Sequence, residues 1–204
     1  MRILTIKNIL EGYEFLLQAD KLLIDRYFPR DNHMQSDELI YALEEFLRRN
    51  NLEYSDLDNL SVTNGPNNFT TLKVLMTIAK GFRACFPKKP IITNNLFEIL
   101  AYEKNCDLII LELKGSLLYV YNKKQYYHLP YVSLENLLNN KNGKIITNSQ
   151  FLLDFSKKGI IVELGHFEDE CIMNLNYKKA VNGDFDWVLE PLYVREPDVI
   201  FKKK

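Results

Sequence analysis

Hydrophobic and polar positions along the chain change periodicity in an order that occurs twice. Residues 2–7, 13–19 and 22–28 read as three strands linked by turns, 36–49 as an amphipathic helix, 59–63 as a strand, 69–85 as a helix, 90–93 as a strand and 95–104 as a helix. The second half repeats this with shorter elements: strands at 107–113, 117–122 and 125–131, a helix at 134–140, a strand at 144–147, a helix at 149–156, a strand at 160–163 and a helix at 167–180. Each half is therefore βββαβαβα. A strand meander followed by alternating helix and strand predicts an α/β fold with mixed sheets joined by right-handed crossovers. The break falls near residues 105–106, giving a first lobe at 1–105 and a smaller second lobe with a C-terminal tail at 106–204.

The two longer helices of the first half differ in a telling way. Over 36–49, Leu39, Leu43, Phe46 and Leu47 form one apolar stripe with Ile40 at its flank, and a helix covering a sheet explains it fully. Ser36 near the start, with Asp37 and Glu38 in the first turn, supplies ordinary N-terminal signals. Over 69–85, Leu72, Leu75, Met76, Ala79 and Phe86 share one side, while Val74, Ile78, Gly81 and Cys85 share the opposite side at about 100° per residue. A helix of a two-layer lobe needs one buried face, so the second stripe must meet another helix of this chain or of a partner.

Composition narrows the class. The 204 residues are 47% hydrophobic and 26% charged with 8 Gly and 7 Pro, which excludes disordered, collagen-like and mucin-like chains. Apolar runs are far shorter than the roughly 20 residues a membrane span requires. Residues 1–6 run directly into a strand with no signal-peptide pattern, which predicts a cytoplasmic protein. Lys+Arg 26 against Asp+Glu 27 leaves a net charge of -1, without the excess on which nonspecific nucleic-acid binding rests. Cys85, Cys106 and Cys171 are widely spaced and odd in number, arguing against a disulfide framework and a zinc site. Lys and Asn are used heavily and Arg sparsely, so departures from motifs must be read against that bias.

Between the strand at 59–63 and the helix at 69–85 lies Asn64-Gly65-Pro66-Asn67-Asn68, a loop placed to offer backbone N–H groups to an anion. It lacks the Gly-Lys-Ser/Thr ending of a Walker A loop, and a Gly-Pro turn followed by an Asn cap is the simpler reading. The run Gly65-Pro66-Asn67-Asn68-Phe69-Thr70-Thr71-Leu72-Lys73, with Ala79-Lys80-Gly81-Phe82 downstream, resembles the TsaB (YeaZ) family, whose pattern is close to Gly-Pro-Gly-Ser-Phe-Thr-Gly-Leu-Arg followed by an Ala-Lys-Gly-Leu helix. Gln35-Ser36-Asp37-Glu38-Leu39, Asp56-Leu57-Asp58, Asn95-Leu96-Phe97-Glu98-Ile99-Leu100-Ala101 and the terminal Pro191-Leu192-Tyr193-Val194-Arg195 match further family segments in order. A duplicated βββαβαβα unit is also the architecture of the actin-like ATPase (RNase H-like) superfamily, which includes sugar kinases and the Hsp70 nucleotide domain.

The resemblance implies a noncatalytic subunit of the machinery that places threonylcarbamoyl on N6 of adenosine 37 in tRNA. Its implied partners are a TsaD-type catalytic subunit and a TsaE-type ATPase, with ATP and metal held by those partners and tRNA reached only through the complex. The implied interface pairs first-lobe helices, and a homodimer through the same surface is expected when the partner is absent. The side chains assigned to it are Ser36, Leu39, Ile40 and Leu43 with Leu72, Leu75, Met76 and Ala79. No catalytic, cofactor or metal residue is assigned. Actin-like ATPases place an acid at the end of the first strand, whereas this chain has Ile6-Lys7-Asn8-Ile9-Leu10, and a lysine does not coordinate magnesium. His33, His128 and His166 are isolated, and Glu112 with Lys114 is expected to form a salt-bridged turn. The alternatives are a self-associating interaction module and an independent small-molecule kinase or ATPase of the same superfamily. The basic tail at 201–204 is expected to be a solvated end.

Overall fold

The computed structural model describes residues 1–9, 12–28, 36–102, 104–113, 117–123, 125–139, 143–156 and 160–194, the side chains of Ser36 and Asp37 excepted. The first half contains β1 (Arg2–Asn8), β2 (Tyr13–Ala19), β3 (Leu22–Tyr27), α1 (Ser36–Arg49), β4 (Asn59–Gly65), α2 (Phe69–Cys85), β5 (Ile91–Asn95) and α3 (Leu96–Leu100). The second contains β6 (Leu108–Glu112), β7 (Leu117–Tyr121), β8 (Tyr126–Pro130), α4 (Leu134–Asn139), β9 (Gly143–Thr147), β10 (Ile160–Leu164) and α5 (Asp169–Asn182).

The strands form two five-stranded sheets of the same design, ordered β3-β2-β1-β4-β5 and β10-β9-β6-β7-β8. In each, the meander pairs antiparallel and the later strands add in parallel through helical crossovers. This duplicated mixed sheet is the actin-like ATPase fold anticipated from the element order.

Strand alternation sorts side chains to opposite faces of the first sheet. Leu4 and Ile6 of β1, Phe15 and Leu17 of β2 and Leu60 and Val62 of β4 turn toward α1 and α2, which contribute Leu39, Leu43, Phe46 and Leu47 and Leu75, Met76, Ala79 and Phe82 to the same core. The other face carries a polar cluster, in which Thr5, Gln18, Ser61 and Asn94 converge on Asn176 of α5. A further apolar cluster is shared by both halves, with Leu96, Phe97 and Leu100 of α3 packed among Ile109, Leu111, Ile146, Ile172 and Met173.

Three helices differ from the pattern reading. The helix expected at 95–104 is confined to Leu96–Leu100: β5 extends through Asn95, whose side chain caps the helix start in a reciprocal box with Glu98, and the helix ends at Ala101, whose N–H donates to the Phe97 carbonyl at 3.0 Å. The segment expected as a helix at 149–156 is a 3₁₀ turn over Gln150–Phe155, where Leu152 is the single buried side chain, too small an apolar anchor for a longer helix. The last helix is shifted to Asp169–Asn182 and ends at Gly183, whose φ of 73° lets Asp184 N–H reach the Lys179 carbonyl at 2.9 Å.

Candidate functional site

Helix α2 begins where Asn68 Oδ1 accepts the Thr71 N–H at 2.8 Å, and its bulkier stripe is driven into the sheet. Leu72, Leu75, Met76 and Ala79 are buried at 0–3% exposure, and so are Leu39 and Leu43 of α1. Of the residues assigned to a partner surface, these six are therefore core residues that a partner cannot touch in the folded chain. Ile40 is the exception, at 40% exposure, and the Ser36 side chain lies outside the described residues. The physical reason is size: one side of α2 offers Leu, Leu, Met and Phe, and the sheet takes the side that fills more volume.

Among the described residues the other stripe is only partly covered. Val74, Ile78, Gly81 and Cys85 line an apolar groove of about 600 Å³ between α2 and the flank of α1, closed at its sides by Ile40, Tyr54 and Phe86. Glu44 stands on one wall and Lys73 on the other. Burial, and secondarily the Glu44 carboxylate, push the Tyr54 phenol up to about 12. Nothing lies within 4 Å of the position a Cβ on Gly81 would take, so the groove floor has room beside the helix backbone. The sequence contained this stripe; what set it apart was the exchange of Leu and Met for Val, Gly and Cys, flanked by Lys73 and Thr77.

The loop from β4 to α2 is internally tied. Gly65 takes φ +125°, and a Cβ there would lie 2.8 Å from the Leu192 carbonyl oxygen. Leu192 N–H donates to the Asn64 carbonyl at 2.7 Å, and Tyr193 stacks on Phe69 with ring centroids 4.5 Å apart. Asn67 Nδ2 donates to Asn8 Oδ1 at 2.6 Å, while Asn67 Oδ1 accepts the Asn68 N–H at 2.7 Å. The loop is a capped turn, as its residues suggested, and the C-terminal segment covers it.

At the end of β1, Lys7 is buried to 3% side-chain exposure between two carboxylates, with Nζ 2.9 Å from Glu14 Oε2 and 2.6 Å from Asp169 Oδ1. Arg26 reaches the same pair, at 3.3 Å from Glu14 Oε2 and 3.2 Å from Asp169 Oδ2. Two cations and two anions thus neutralise one another where actin-like ATPases place an acid.

Other candidates are dispersed. His128 sits exposed on β8 with Nδ1 3.3 Å from the Val194 carbonyl, His166 is exposed, and His33 lies outside the described residues. Glu112 is tied through its backbone to Asn148, whose Oδ1 accepts the Glu112 N–H at 2.8 Å and whose Nδ2 donates to the Glu112 carbonyl at 2.9 Å, and Lys114 lies outside the described residues. Arg195 and the tail at 201–204 are likewise outside them. Cys85, Cys106 and Cys171 are not joined in disulfides, and among the described residues no group of three or more His, Cys, Asp or Glu is placed to hold a metal ion. No helix among the described residues is long and apolar enough to cross a membrane.

No protein-family model and no curated protein matches the sequence. Among solved structures, the chain is similar to YeaZ from Pseudomonas aeruginosa, with a TM-score of 0.66 at 13% identity over 94% of this chain and 99% of that one. It is also similar to an uncharacterized protein from Pseudomonas aeruginosa described as similar to peptidase YeaZ, with a TM-score of 0.65 at 13% identity over 95% and 99% of the two chains. The likeness spans nearly all of both halves and establishes a shared fold.

Proposed function

We propose that this chain is a noncatalytic scaffold subunit of the TsaB type, which binds a TsaD-type catalytic subunit and, with it, a TsaE-type ATPase in threonylcarbamoyl transfer to adenosine 37 of tRNA. The observation that carries the reading is the apolar groove between α1 and α2, where a second apolar stripe is only partly covered among the described residues. The ordered motifs from Gly65 to Phe82 and the YeaZ-like fold support it. In this reading the partner face is the groove, Ile40, Val74, Ile78 and Gly81, rather than the core stripe assigned from periodicity. ATP and metal reside on the partner subunits and tRNA is reached through the complex, in the cytoplasm.

The neutral cluster around Lys7 weighs against the kinase or ATPase alternative, since a phosphate-bound cation approaching the end of β1 would meet an ammonium group already satisfied by both carboxylates. Size-exclusion chromatography with light scattering on the purified chain, alone and mixed with the TsaD-type subunit from the same genome, tests the proposal. A stable mixed complex that forms as any homodimer is consumed, with no turnover by this chain alone, is expected. An unchanged profile on mixing, with a homodimer the partner fails to dissociate, favours the self-associating module and overturns the scaffold role.

A further inference from the structure

Helix α5 follows the second sheet in sequence, yet one of its faces is attached across the whole first sheet. Asp169, Ile172, Met173 and Asn176 recur at helical spacing on that face. Asp169 reaches Lys7 on β1 and Arg26 on β3. Ile172 and Met173 enter the apolar cluster shared with Leu16 of β2 and Ile109 and Leu111 of β6. Asn176 Nδ2 donates to Thr5 Oγ1 at 2.9 Å, and its Oδ1 accepts from Ser61 Oγ at 2.8 Å and from Asn94 Nδ2 at 2.6 Å. One turn further on, Lys179 Nζ donates to the Thr93 carbonyl at 2.7 Å. These contacts fall on every strand of the first sheet.

The charged end of this face is unlike the rest. Lys7 and Glu14 are cross-strand partners of the β1–β2 ladder, so their pairing is fixed by the sheet, whereas Asp169 arrives from 162 residues away to complete the site. Its two carboxylates converge on one buried point, and the Lys7 ammonium occupies that point as a resident cation. Removing the ammonium leaves two largely buried carboxylates facing each other with only the half-exposed Arg26 between them, an arrangement that repels α5 from the sheet. Further along α5 the contacts are apolar and amide ones, joined by a more exposed ion pair between Lys179 and Glu98.

We infer that Lys7, Glu14, Arg26 and Asp169 form an ionic latch that fastens the first turn of α5 to the first sheet, and that through α5 the two lobes are held as one body. The scaffold proposal does not depend on this latch, because the groove lies on the opposite face of the first sheet.

Amide hydrogen exchange read by mass spectrometry on the full chain tests the latch. In Lys7→Met, amides of residues 171–176 exchange at least tenfold faster while those of β4 and α2 keep wild-type rates. Arg26→Gln, altering a half-exposed side chain, gives an acceleration of under threefold in the same segment. Adding Glu14→Gln and Asp169→Asn to Lys7→Met removes both unpaired charges and returns that segment to within about threefold of wild type. The latch is overturned if Lys7→Met leaves α5 at wild-type rates, if β4 and α2 accelerate along with it, or if the neutralised triple variant stays as open as Lys7→Met.

Discussion

The two sides of α2 are both apolar, and they do opposite work. On one side Leu72, Leu75, Met76 and Phe82 fill the space against the first sheet; on the other Val74, Ile78, Gly81 and Cys85 border an open groove. Hydrophobicity alone does not separate them, because each repeats at the helical period. Volume does: the sheet retains the stripe that excludes more water, and the stripe of small and β-branched residues borders the groove that we propose as the partner surface. Substitutions on the two sides should therefore separate stability from association.

The largest effect is expected from Met76→Asp. A carboxylate placed at a position 3% exposed, among Leu75, Ala79 and Phe82, costs on the order of 4 kcal/mol and unfolds the first lobe, seen as a lost or strongly lowered denaturant midpoint. A variant that stays folded and loses only partner binding would reverse the assignment of the two sides. Gly65→Ala is next: with φ at +125° and the Leu192 carbonyl 2.8 Å from the new Cβ, a loss of about 1–3 kcal/mol is expected, together with release of Tyr193 from Phe69. Protease sensitivity near residue 190 reports the second part. Asn68→Ala removes the cap of α2 and costs about 1 kcal/mol in thermal or denaturant unfolding.

Tyr54 sharpens the groove side through pH. Its phenol is held protonated in the folded chain, with the folded value raised from 10.0 to about 12. The stability this contributes is fully present below pH 10 and is lost as pH rises toward 12, so the denaturant midpoint should fall across that window and do so less steeply in Tyr54→Phe. Below pH 9 the slopes of the two proteins should coincide.

Much of the fold was legible because each element announces its own period. The limits of β2, α1 and α2 coincide with the pattern reading, since turns, caps and apolar stripes mark them locally. What was not legible depends on encounters between distant segments. Periodicity revealed both stripes of α2 but not which one the sheet would claim, so Leu72, Leu75, Met76 and Ala79 were assigned outward and lie inward. Lys7 stood out as a departure from an acidic position, but Asp169, its partner from the other end of the chain, had no sequence mark beyond a first-turn carboxylate. The shift of α5 onto the first sheet is written in Ile172, Met173 and Asn176, whose spacing shows a face without naming the sheet it meets.

The most direct measurement of the central claim is the affinity of Gly81→Glu for the TsaD-type subunit, beside its own denaturant stability. Gly81 is exposed, has open space around it and sits mid-helix, so glutamate should leave α2 intact or stabilise it by about 0.5 kcal/mol while filling the groove with a charged side chain. The account predicts a folded chain whose binding is weakened at least a hundredfold relative to wild type. Binding equal to wild type by a folded Gly81→Glu variant would contradict the assignment of the groove as the partner surface.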